Sequence, residues 1–200
     1  MPIQKIKRGY RKTRYILYKE TLVDYKEHFW SFIGSFVGIG VLAYIQSIQF
    51  SGHDAVYLIG SFGASSVLVY GIIQSPFSQP RNLVGGHLVS AFIGVTVQKL
   101  APDIIWIAAP LAVSLAIIFM QITKTLHPPG GATALIAIIG SEKIKALGYM
   151  YVLSPVLVGV LILLITALIF NNMTSSRTYP SHGLYRKQYH KIRKRLRGKS

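Results

Sequence analysis

The 200-residue chain contains no cysteine. Disulfides, iron–sulfur clusters and thiolate chemistry are thereby excluded. Acidic residues are scarce too: six Asp and Glu stand against 22 Lys and Arg, for a net charge of +16. None of the six falls within a long apolar run, so the carboxylates that usually bind Na⁺ or relay protons inside a membrane are missing. Histidines spaced as H-E-x-x-H are absent, and so is a nucleophile motif. No metal, no cofactor and no enzymatic activity are expected on these grounds.

What is present is mostly apolar, 51% hydrophobic and only 14% charged, a balance ordinary for a membrane protein. The charge sits at the two ends. Residues 1–28 hold eight Lys/Arg and three acids, and residues 171–200 hold nine Lys/Arg and no acid. The expected organisation is a basic N-terminal segment (1–28), a transmembrane domain (29–170) and a basic C-terminal tail (171–200). Basic tails flanking a lipid-soluble body point to the cytoplasmic side and to anionic lipid rather than to nucleic acid. The apolar run begins near Phe29, too late and too long for a signal peptide. The first 19 residues are basic but lack serine, which gives a transit peptide little support. A multi-pass protein of a prokaryotic plasma membrane, both termini cytoplasmic, is the expected setting.

A spanning helix needs about 20 apolar residues. Six segments emerge, at 29–50, 55–73, 82–100, 104–124, a short one after Gly131, and 147–170. Segments two and five are alike. "GASSVLVYG" (63–71) parallels "GATALIAIIG" (131–140), and "SAFIGVTV" (90–97) parallels "SPVLVGVLIL" (154–163). The expected fold is all-α, a 3+3 inverted repeat with halves at about 29–100 and 104–170. A rival arrangement makes segments two and five re-entrant and leaves four full spans. Gly34 and Gly38, spaced for close helix packing, suit either internal packing or a homo-oligomer contact.

The stretch "TLHPPGGATALIAIIG" (125–140) opens with two prolines and two glycines, which oppose helix. Irregular backbone at membrane depth needs protein or water around it. The expectation is an extended lead-in at 127–130, a half-helix starting near Gly131, and a matching half-helix starting near Gly63. Two such starts meeting near the midplane would make an anion site from free N–H groups and helix dipoles. The candidate substrate-binding residues are Ser61, Gly63, Ala64, Ser65 and Ser66 from segment two, then Arg81, Asn82 and His87 from segment three. His127, Gly130, Gly131, Ala132 and Thr133 complete the set. The ionisable groups close to these segments are basic, which suits a small inorganic anion, and a histidine can carry a proton near neutral pH. A channel, a non-transporting membrane module and an intramembrane histidine-dependent enzyme are the alternatives.

Three linked stretches, "GSFGASSVLVYG", "SPFSQPRNLVGGHLVSAFIGV" and "HPPGGATAL", resemble the signatures of the HPP family of integral membrane proteins, named for the triplet seen here as His127-Pro128-Pro129. The resemblance covers about 29–170 and leaves the tails outside. Some plant and cyanobacterial members are associated with nitrite transport across plastid or cell membranes, so the resemblance implies nitrite as one substrate candidate. Descriptions of the family commonly give four spans, which favours the re-entrant arrangement.

Overall fold

The structure, a computed structural model, describes residues 25–50, 52–174 and 177–181. Among them all regular structure is helical. Helix α1 covers Tyr25–Gln49, and α2 covers His53–Ser66 and runs on into a π-helical turn at Val67–Gly71. A 3₁₀ turn at Pro76–Ser78 precedes α3, Pro80–Leu100. Then come α4 (Ile105–Ile122), α5 (Gly130–Ile139), the short α6 (Glu142–Ala146), a π-type turn at Val152–Leu157 and α7 (Val158–Phe170). Four stretches are long and apolar enough to cross a membrane: Tyr25–Gln49, Pro80–Leu100, Ile105–Ile122 and Val152–Phe170. Four matches the number in the re-entrant arrangement, and α5, at ten residues, is too short to be a fifth.

Local chemistry explains the ends that matter. Proline at the first position of α3 costs nothing, because that N–H has no helical partner. Helix α4 stops in a Schellman turn, with Lys124 left-handed (φ 57°), Thr125 N–H on the Met120 carbonyl (2.9 Å) and Lys124 N–H on the Gln121 carbonyl (3.1 Å). Residues 125–127 are then irregular. The extended lead-in is shorter than expected, because Pro128 and Pro129 already turn: Gly130 N–H bonds the His127 carbonyl (2.8 Å) and Gly131 N–H the Pro128 carbonyl (3.0 Å). The fixed φ of proline suits such a turn as well as it suits extended chain.

One expectation is corrected. Segment two has no half-helix start near Gly63, because α2 begins at His53 and passes through Gly63 unbroken. A lone glycine costs a helix only about 1 kcal/mol, too little to break one held by its neighbours. Within the expected C-terminal tail, Asn171, Arg177 and Tyr179 are buried and bond the Val69, Tyr70 and Ser78 carbonyls. The rest of both basic segments lies outside the described residues.

Helices α3, α4 and α5 pack together, and α1 packs on α2 and α7. Contacts of α2 with α5, and of α3 with the turn at Val152–Leu157, join these groups. Gly34 and Gly38 are buried under the Tyr70 ring, so this pair serves packing within the chain. The chain order long, short, long occurs twice. The short members differ, however, one being continuous helix through Gly71 and the other a half-helix after a turn.

Candidate functional site

At the N-terminal end of α5 a polar cluster is enclosed by apolar helices. Helix α2 supplies Ser61 and Ser65, four residues apart and so on one face. Helix α3 supplies His87, the Pro-Pro turn supplies His127, and α5 supplies Thr133. Ser65, His87 and His127 are wholly buried, and Ser61 and Thr133 nearly so. The helices come this close because glycine stands where they meet. A Cβ on Gly86 would collide with His127 and lie 2.8 Å from the Thr125 carbonyl oxygen, and one on Gly130 would lie 2.7 Å from Ser90 Oγ.

The hydrogen bonds form one continuous line. His127 Nδ1 is 2.8 Å from the Phe77 carbonyl oxygen, which can only accept, so Nδ1 carries a proton. Among the described residues no carboxylate pairs with either ring, so nothing holds a second proton and both rings rest neutral. His127 Nε2 is then an acceptor, and the Ser65 hydroxyl donates to it at 2.9 Å in preference to the Ser61 carbonyl at 3.2 Å. Ser65 Oγ in turn accepts from His87 Nε2 at 2.8 Å. That leaves His87 Nδ1 to accept from the Thr133 hydroxyl at 2.7 Å, and Thr133 Oγ1 to accept from Ser61 at 2.8 Å. A single backbone carbonyl thus sets the direction of five hydrogen bonds. The two rings lie 5.0 Å apart, and Phe62 packs against His87 at 5.2 Å. Tyr151 donates to the Thr133 carbonyl at 3.0 Å. Ser90 Oγ, buried beside Gly130, has no partner.

Of the thirteen expected site residues, the structure brings Ser61, Ser65, His87, His127 and Thr133 into this line, with Gly130 against it. Ala64 is exposed, while Gly63, Gly131 and Ala132 are half-buried. The two glycines are not the points of close approach: a Cβ on Gly63 meets nothing within 4 Å, and one on Gly131 meets only Val113 at 3.7 Å. Ser66 turns away, donating to the Gly63 carbonyl and lining a groove of about 310 Å³ beside Tyr70 and Ser31. Arg81 is exposed and bonds the Thr123 carbonyl (3.0 Å), and Asn82 bonds the Leu126 carbonyl (2.8 Å). Both brace the link between α4 and α5 from outside the cluster. The pair of facing half-helix starts is also corrected. Only α5 starts here, and its first N–H groups are taken by the His127, Pro128 and Pro129 carbonyls.

Sequence reading missed Gly86, Ser90, Tyr151 and the Phe77 carbonyl. Gly86 had a signal, since a glycine doublet inside a helix is costly unless something packs on it. The others had none. No group of three His, Asp or Glu able to hold a metal ion occurs among the described residues.

A family model described as HPP, transmembrane region, matches residues 20–180. Two transmembrane proteins of Dictyostelium discoideum are similar. One is 43% identical over 163 residues, which is 78% of this chain and 56% of the relative, and the other is 44% identical over 163 residues, 78% and 51%. The chain thus spans about half the length of the curated relatives it matches. Both relatives are eukaryotic and lend no support to a prokaryotic origin. No solved structure matches the chain.

Proposed function

We propose, from the premise that this chain belongs to the HPP transmembrane family, that it moves a small inorganic anion, nitrite or one like it, across a membrane. The observation that carries this reading is the buried line of two histidines and three hydroxyls at the N-terminus of α5. Polar groups are expensive in a membrane bundle and are retained where they work. These groups carry no negative charge and sit at the positive end of a helix dipole, which favours an anion over a cation. The Ser90 hydroxyl is a spare donor that the resting line leaves unused. Open space beside Gly63, two positions from both Ser61 and Ser65, gives room for a small ion to approach.

Transport is favoured over catalysis in this proposal because, among the described residues, no acid pairs with either ring. Both basic ends are placed in the cytoplasm, against anionic lipid.

The test is reconstitution in liposomes with nitrite, nitrate, formate and chloride in turn. At least one should move faster than in empty vesicles, with a rate that saturates in a carrier and stays linear in a channel. If none of the four binds or moves, the reading is wrong.

A further inference from the structure

We propose that Ser61, Thr133, His87, Ser65 and His127 act as one proton relay, which takes up a single proton when the anion binds and so makes transport electroneutral. The inference rests on the anion-transport reading and adds its coupling ion.

The argument is geometric. Every link in the line is between 2.7 and 2.9 Å, short enough for a proton to pass along each. Every member is amphoteric: each hydroxyl, and each neutral imidazole, both donates and accepts. At rest all donors point one way, from Ser61 toward the Phe77 carbonyl. Let a proton arrive at Ser61 Oγ. The Ser61 proton passes to Thr133, that of Thr133 to His87 Nδ1, that of His87 Nε2 to Ser65, and that of Ser65 to His127 Nε2. One proton has entered, His127 is an imidazolium, and every link between Ser61 and His127 points the other way. The newly protonated Ser61 hydroxyl now needs an acceptor, and the Pro129 carbonyl oxygen waits at 3.3 Å. The line therefore has two complete hydrogen-bonded states one proton apart: His127 Nδ1 donates to the Phe77 carbonyl in both, and in the second Ser61 donates to the Pro129 carbonyl.

The surroundings fit a charge that appears only with its counter-ion. Helix α2 adds Phe62, α3 adds Ser90, and the turn before α7 adds Tyr151, whose phenol donates to the Thr133 carbonyl. Among the described residues no acid or base forms an ion pair with either ring. An imidazolium without a partner is costly in such a place, and an anion near the start of α5 would offset it. The proton and the anion thus favour each other's binding.

The experiment loads liposomes carrying the full chain with a pH-sensitive dye and imposes an inward anion gradient. Expected is lumenal acidification in step with anion uptake, one proton per anion, unchanged when valinomycin and K⁺ clamp the membrane potential. Ser65→Ala, which cuts the line between the rings, should slow coupled uptake roughly a hundredfold, and Ser65→Thr, which keeps the hydroxyl, should restore it. NMR of isotope-labelled histidine in the folded protein gives a second readout, a ring-nitrogen shift on nitrite addition that is lost in Ser65→Ala. Anion flux that carries net charge and leaves lumenal pH unchanged overturns the relay and leaves the transport reading standing. Coupled flux that survives Ser65→Ala overturns it as well. Absence of flux for all four anions overturns both.

Discussion

Gly86 and Gly130 set how closely α3, the Pro-Pro turn and α5 approach one another. Neither has room for a methyl group, whereas Gly63 has open space. Gly86→Ala and Gly130→Ala should each destabilise the protein by about 1–3 kcal/mol through overpacking. Gly63→Ala, at an open helical position, should be neutral or stabilise by about 0.5–1 kcal/mol. Thermal melting of the purified variants in one detergent checks the contrast. Thr133→Val keeps the shape of its side chain and strands His87 Nδ1, while the Ser61 hydroxyl turns to the Pro129 carbonyl. It should cost about 1–3 kcal/mol by the same measurement, the penalty of a buried polar group left without its partner.

At the scale of elements, the turn at Val67–Gly71 depends on the returning C-terminal stretch. The π turn leaves carbonyls that lack helical partners, and an apolar environment cannot supply donors. Asn171 bonds the Val69 carbonyl at 2.9 Å, and Arg177 bonds that of Tyr70 at 2.7 Å. Arg177 also meets the Glu27 carboxylate at 3.4 Å. Burial lowers the guanidinium's affinity for its proton, and Glu27 opposes that shift. Tyr179 donates to the Ser78 carbonyl at 2.7 Å, one residue beyond the carbonyl that orients His127. Asn171→Ala should therefore raise backbone hydrogen exchange at 67–71 and cost about 1–3 kcal/mol.

Burial, with a smaller contribution from Tyr70, pushes the Tyr179 phenol above its ordinary range. The sign follows from linkage: the unfolded phenol loses its proton near pH 10 while the folded one keeps it. Stability from this residue is complete below about pH 10 and falls as pH rises above it. The melting temperature of Tyr179→Phe should accordingly decline less steeply than wild type in that alkaline range.

At the scale of the whole molecule, the proposed function has the four apolar helices of the described residues cross the membrane and return the chain to its starting side. On that proposal both basic ends face one compartment. The chain has no cysteine, so single replacements give clean labels. Lys12→Cys and Lys191→Cys, both outside the described residues, should react with an impermeant maleimide only after the cells are permeabilised. Reaction of either one in intact cells would contradict the shared cytoplasmic placement.

Hydropathy, composition and local backbone preference are properties of neighbours along the chain, and they were legible. They marked the membrane class, five of the six helical segments to within a few residues, the half-helix at Gly130 and both histidines as residues that needed a role. The expected start of the sixth segment, at 147, falls five residues ahead of the span Val152–Phe170, because the stretch 147–151 is as uncharged as the span it precedes. Gly63 misled for a related reason: glycine marks a place where a chain can break or where something can approach, and only packing says which, if either, occurs. The alignment of Ser65 between two rings, the Phe77 carbonyl that sets their proton positions, and the docking of Arg177 and Tyr179 belong to the tertiary structure alone. Hydrogen bonds need distance and direction in space, and these join residues as far apart in sequence as Asn171 and Val69, whose separation no local pattern records.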